Sequence, residues 1–134
     1  MSATLVDSNV LLDVLTDDPE WGARSSDALA AAADTGPLVI DPLVYAEVSV
    51  RFSRIEELEA ALPGEFFRRE ALPWEAAFLA GKCFVRYRRA GGVRRSPLPD
   101  FYIGAHAAIR GWSLLTRDPT RFRAYFPGVS INTP

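Results

Sequence analysis

The chain has 134 residues, 49 % of them hydrophobic and 24 % charged, with a formal net charge of −2. That length and balance mark one globular domain, residues 1–134, large enough for a core of its own. A single cysteine, Cys83, excludes an internal disulfide and a zinc-finger framework, and the longest run free of Asp, Glu, Lys and Arg, Ala124 to Pro134, is too short to cross a bilayer.

Strands are expected at Thr4–Val6, Leu38–Ile40, Ser113–Thr116 and Val129–Ile131, with Phe66-Phe67 as a fifth. Each is a short apolar run between helical stretches, the pattern of a parallel sheet covered on both faces. Ser8 or Asn9 can cap the helix after the first strand, and Asp41-Pro42 is a cap followed by proline at the first helical position. Trp74, Ala77, Phe78, Gly81, Phe84 and Val85 share one helix face and are expected to point inward, with Glu75, Lys82, Arg86 and Arg89 opposite. Asp100 can cap a helix over Phe101–Arg110 that Gly111 stops, and Asp118-Pro119 can open a last short helix. The expected fold is an α/β sandwich with βα alternation. In such sheets the ligand site lies beyond the carboxyl ends of the strands.

Asp7 and Asp118 fall at strand ends by chain order alone. Helix capping explains Asp7, Asp41, Asp100 or Asp118 one at a time. It does not explain Glu47, which lies inside the apolar segment Leu43–Val50. A carboxylate there is expensive unless something cationic satisfies it. A buried arginine could do so for Glu47 alone; a divalent cation shared by Asp7, Glu47, Asp100 and Asp118 accounts for all four. Asp13 and Asp17-Asp18 are expected to be solvated or turn residues. The only histidine, His106, is about 240° around an ideal helix from Asp100, so packing is expected of it rather than catalysis. Cys83 reads as a small core residue.

Leu5-Val6-Asp7-Ser8-Asn9-Val10-Leu11-Leu12, Pro42-Leu43-Val44-Tyr45-Ala46-Glu47-Val48, Pro99-Asp100-Phe101-Tyr102-Ile103-Gly104-Ala105 and Leu114-Leu115-Thr116-Arg117-Asp118 together resemble the PIN-domain nucleases, in order and in spacing. With Phe122–Gly128, the chain resembles their short single-domain members, the VapC-type toxins of toxin–antitoxin pairs. The resemblance implies a three-layer α/β/α sandwich with a short, mainly parallel sheet of four to five strands. It implies a metal-dependent endoribonuclease in which Asp7, Glu47, Asp100 and Asp118 hold Mg²⁺ or Mn²⁺. Asn9 and Thr116 match polar positions that orient those acids by hydrogen bonds. An RNA substrate, a cognate antitoxin and a homodimer are the implied partners. Mg²⁺ favours a few carboxylates and several waters, so an open Asp/Glu cluster suits it.

The charge is divided unevenly: residues 1–75 carry fifteen acids and five bases, residues 76–134 two acids and ten bases. Arg86, Arg88, Arg89, Arg94 and Arg95 cluster around Gly91-Gly92 just before Asp100. Such a loop can hold RNA phosphates beside an acidic metal site, although basic residues at a helix end also suit the helix dipole. Met1-Ser2-Ala3-Thr4 lacks the basic start and apolar run of a signal peptide, so a cytoplasmic location is expected. Three rivals stand beside the toxin: a housekeeping PIN nuclease without antitoxin, a non-catalytic PIN module that binds RNA or protein, and an aspartyl-phosphate phosphatase or receiver. The last fits poorly. A haloacid-dehalogenase-like site wants Asp at position 9, where Asn9 stands, and a receiver wants a lysine after a late strand, whereas the only lysine is Lys82.

Overall fold

The computed structural model describes residues 2–95 and 97–134; Ser96, in the lead to Asp100, lies outside the described residues. The elements in chain order are β1 (Thr4–Val6), α1 (Ser8–Leu15), α2 (Gly22–Thr35), β2 (Leu38–Ile40), α3 (Pro42–Ser49), α4 (Ile55–Ala61), β3 (Phe67–Arg69), α5 (Trp74–Arg89), α6 (Pro99–Arg110), β4 (Ser113–Leu115), α7 (Thr120–Tyr125) and β5 (Ile131–Asn132). The strands form one sheet in the order β3-β2-β1-β4-β5, parallel throughout. The first expected strand matches, the last begins two residues later than expected, and the fifth runs from Phe67 rather than Phe66.

Parallel strands need long crossovers, and these are almost always right-handed. From β1 the chain steps outward to β2 and β3, then returns across the sheet to β4 and moves outward the other way to β5. Helices therefore cover both faces. The direction of travel reverses between β1 and β4, which opens a crevice at their carboxyl ends. Leu5 pairs with Leu114, and the Asp7 amide donates to the Leu115 carbonyl at 2.9 Å. Asp7 and Thr116–Asp118 therefore flank that crevice. β1 and β2 are buried along their whole length, which is why they read as unbroken apolar runs.

The α5 expectation is corrected. Its buried residues are Ala76, Ala80 and Cys83, whereas Trp74 is 88 % exposed, Phe78 68 % and Val85 40 %. α5 lies along α6, and small residues at their seam let the two helices approach closely. α6 is itself clamped by α7. Gly104 carries no Cβ because the Phe126 ring occupies that place. No helix among the described residues is long and apolar enough to cross a membrane.

Candidate active site

The capping explanations for three of the acids separate cleanly. Asp7 does cap α1, its Oδ1 accepting from the Ser8 amide at 2.8 Å; neither Ser8 nor Asn9 is the cap. Asp100 is not a cap: α6 starts at Pro99, and Asp100 lies within its first turn. Asp118 is not a cap either, because α7 begins at Thr120 after Pro119 without a side-chain cap. The Asp100 and Asp118 carboxylates are thus free of the task that capping would give them.

Asp7 is 4 % exposed. Its Oδ2 accepts from Thr116 Oγ1 at 2.8 Å. Thr116 Oγ1 in turn accepts from the Asp118 amide at 3.1 Å and from Asn9 Nδ2 at 3.4 Å. Asn9 Oδ1 accepts from the Arg117 amide at 3.1 Å. One hydroxyl therefore ties the end of β1 to the loop after β4 and fixes Asp118 relative to Asp7. Ser8 extends the chain of contacts to α3, its Oγ donating to Glu47 Oε1 at 3.1 Å. In the sequence Ser8 reads only as a cap; its position beside Asp7 is the signal that points to this second task. On the far side, Arg121 Nη1 stands 3.4 Å from Asp100 Oδ2. Arg121 follows Asp118 by three residues, so the turn that carries the acid also carries a cation to its neighbour.

The electrostatics show these acids sharing one region. Burial raises the Asp7 carboxyl to about 7; the Thr116 hydrogen bond opposes the rise, and the negative charges of Asp100 and Glu47 add to it. Glu47 is pushed up by burial, against the Ser8 hydrogen bond and together with Asp100 and Asp41. Asp100 is pushed up by burial, with Arg121 pulling it down and Asp118 adding to the rise. Protonated or crowded carboxylates facing one crevice are what a cation would relieve.

The donor set fits a hard divalent ion: all oxygen, carboxylate, and exposed at Asp118. It is not a closed cage. Among the described residues no three His, Cys, Asp or Glu side chains stand close enough to hold one ion directly. The arrangement suits an ion held by one or two of these carboxylates, with waters filling its remaining positions.

Four other acids have separate work. Asp41 caps α3, accepting from the Val44 amide at 3.0 Å, and its Oδ2 lies 2.9 Å from His106 Nδ1, both side chains fully buried. His106 thus packs α6 onto α3 and against the Trp112 ring at 4.9 Å. Asp17 and Asp18 form the expected turn, with Asp18 accepting from the Glu20 and Trp21 amides. The solvated reading of Asp13 is corrected: it lies in α1, is 3 % exposed, accepts from Ser25 Oγ at 2.8 Å and pairs with Arg117 Nη2 at 3.0 Å.

The arginines lie at the end of α5 and in the loop after it. Arg86, Arg88, Arg89, Arg94 and Arg95 are all exposed. The loop is folded back on the helix: Arg88 Nη1 donates to the Arg94 carbonyl at 2.8 Å, and Gly92 presses on the Tyr87 ring where no Cβ would fit.

No curated protein matches this sequence. Solved structures share the fold. A chain of VapBC2 from Rickettsia felis, bound to a promoter DNA fragment, superposes with a TM-score of 0.75 at 15 % identity, covering 98 % of both chains. A chain of VapBC-1 from nontypeable Haemophilus influenzae gives 0.73 at 16 %, covering 98 % of this chain and 97 % of that one. A chain of a toxin–antitoxin complex from Klebsiella pneumoniae gives 0.67 at 24 %, covering 94 % of both. The PIN domain family model matches residues 4–126, from β1 through the last helix. The chain, with its parallel sheet and the crevice between β1 and β4, therefore belongs to the PIN domain family.

Proposed function

We propose that this chain is a metal-dependent endoribonuclease that acts as the toxin of a toxin–antitoxin pair. The observation that carries the reading is the Asp7–Thr116–Asp118 linkage, which sets two strand-end acids beside Glu47 and Asp100 in one crevice. PIN domains are nucleases, and the solved neighbours come from toxin–antitoxin complexes. In this reading Asp7, Glu47, Asp100 and Asp118 together hold Mg²⁺ or Mn²⁺, one or two of them directly and the others through its waters, and Asn9 and Thr116 keep Asp7 and Asp118 in place. When bound, the ion supplies an acidified water and neutralises charge on the scissile phosphate. The exposed Arg86, Arg88, Arg89, Arg94 and Arg95 hold flanking phosphates, and a cationic side chain of the antitoxin answers the acidic crevice.

The test is cleavage of single-stranded RNA by the purified chain. Cleavage is expected with Mg²⁺ or Mn²⁺, to stop with EDTA, and to be absent from Asp100→Asn. On an Asp100→Asn background, Arg94→Gln with Arg95→Gln should weaken RNA binding and flatten its salt dependence, by about 0.7 in slope for each phosphate no longer held. RNA cleavage that persists in EDTA would overturn the reading. A free chain that is expressed but harmless, with no partner bound, would leave a housekeeping nuclease in place of a toxin.

The outward stripe of α5 carries the homodimer proposal. Trp74, Phe78 and Val85 form an exposed apolar row of the kind that marks contact surfaces. Trp74→Glu with Phe78→Glu should convert a dimer to a monomer in sedimentation while leaving the circular dichroism unchanged. A wild-type chain that sediments as a monomer at micromolar concentration contradicts it.

A further inference from the structure

Two cavities adjoin along α7. One, of about 400 Å³, is lined by Tyr87, Asp100, Asp118, Arg121 and Tyr125 among others, and so opens directly from the acidic crevice. The other, of about 500 Å³, is lined by Arg86, Arg89, Ala90, Ala124 and Tyr125. Ala124 and Tyr125 line both, which sets Tyr125 at the seam of a two-part groove between the acids and the basic end of α5. Both volumes lie in the range of small-ligand sites.

The groove has a rigid aromatic side. Tyr125 meets Phe101 edge to face with centroids 5.0 Å apart, and Phe101 meets Tyr87 in the same way at 5.7 Å. Phe101 is fully buried, so it holds Tyr125 from below. Arginines stand over both ends. The Arg86 guanidinium lies 5.0 Å from the Tyr125 ring centre, and Arg121 lies on Asp100. Arg86 and Arg121 are both exposed, so either can leave its contact at little cost. A planar cation on an aromatic face marks a place where a planar base can stack.

We infer that Tyr125 is the stacking platform for a nucleobase next to the scissile phosphate. Arg86 moves from the Tyr125 ring, and Arg121 from Asp100, to adjoining phosphates as the strand enters. The occupant is single-stranded nucleic acid, since a base can reach the ring only when it is out of a duplex. The inference rests on the nuclease reading and adds a substrate subsite to it.

The test uses the full chain with Asp7→Asn, which lies outside the groove, so that RNA is bound without being cut. Two probes are compared by fluorescence anisotropy: a ten-nucleotide single-stranded RNA, and an abasic phosphodiester of the same length and charge. Tyr125→Leu is expected to weaken RNA binding about 5- to 10-fold, the low end for removal of a stacked base because the base displaces Arg86. Binding of the abasic probe should change less than about twofold, within the same scale. Tyr125→Phe should match Tyr125 on both. Equal weakening on both probes would make Tyr125 structural and overturn the inference. So would unchanged RNA binding, which leaves the groove to a protein partner or to none. Wild-type cleavage is scored alongside. If the wild type cuts RNA while Tyr125→Leu binds RNA normally, only the subsite fails; if the wild type neither binds nor cuts RNA, the nuclease reading fails with it.

Discussion

Asp7→Asn is expected to lower RNA cleavage by more than about 100-fold, beyond what altering a metal ligand's supporting partners alone costs. In EDTA the same change should stabilise the fold at pH 8. Asp7 is held near 7 in the native chain against 3.8 in the unfolded one. Below pH 3.8 both states keep the proton and no cost arises. Between pH 3.8 and about 7 the unfolded chain releases a proton that the native chain retains, so stability falls as pH rises; above about 7 the whole cost stands. That cost is at most about 4 kcal/mol. An amide in its place recovers only part of it. Its nitrogen would face Thr116 Oγ1, which already accepts from Asn9 and the Asp118 amide. A net gain of about 1–2 kcal/mol at pH 8, shrinking toward zero near pH 4, is the expected result in urea titrations. Added Mn²⁺ should raise the wild-type melting temperature and leave that of Asp7→Asn unchanged. A variant that loses stability at pH 8 as well as activity would make Asp7 a structural cap first.

Arg117→Ala is expected to be the most damaging change to stability outside the apolar core. Arg117 pairs with Asp13 Oδ1 at 3.0 Å, and its guanidinium carbon sits 5.2 Å above the Trp21 ring. Asp13 is 3 % exposed, so removing its cation leaves a buried carboxylate with Ser25 Oγ as its remaining side-chain partner. Breaking a fully buried pair costs about 3–5 kcal/mol; Arg117 is partly exposed, which brings the expectation to about 2–3 kcal/mol. The double variant Asp13→Ala, Arg117→Ala should recover part of that deficit, because no lone charge remains. Additive effects in the double variant would deny the pairing. Arg117 also joins Thr116 to Asp118, so cleavage should fall more steeply than the folded fraction does.

The strands that build the crevice are legible in the chain because β1 and β2 are buried on both faces, and β4 nearly so, and their side chains need no alternation. The strand-end acids follow from chain order. Glu47 stands out because no cap explains it. What stays hidden depends on partners far away in sequence. Asp13 reads as solvated because its cation, Arg117, arrives from the loop after β4. Asp41 reads as a plain cap because His106 comes from another helix. In α5 the large apolar side chains suggest the core face, yet close packing against α6 selects Ala76, Ala80 and Cys83 and leaves Trp74 and Phe78 outside. Arg121 and Tyr125 have no chemistry legible in their spacing; only the fold of α7 against α6 brings them to the groove.

The central claim is that Asp7, Glu47, Asp100 and Asp118 serve one ion that RNA cleavage requires. Its most direct test is Mn²⁺ binding followed by electron paramagnetic resonance at neutral pH, with RNA cleavage measured on the same samples. The expected result is a bound Mn²⁺ in the wild type. Binding should weaken in each of Asp7→Asn, Glu47→Gln, Asp100→Asn and Asp118→Asn in step with the fall in cleavage, and remain intact in the exposed control Glu56→Gln. Unaltered Mn²⁺ binding in all four variants, or cleavage that proceeds with no Mn²⁺ or Mg²⁺ bound, would contradict it.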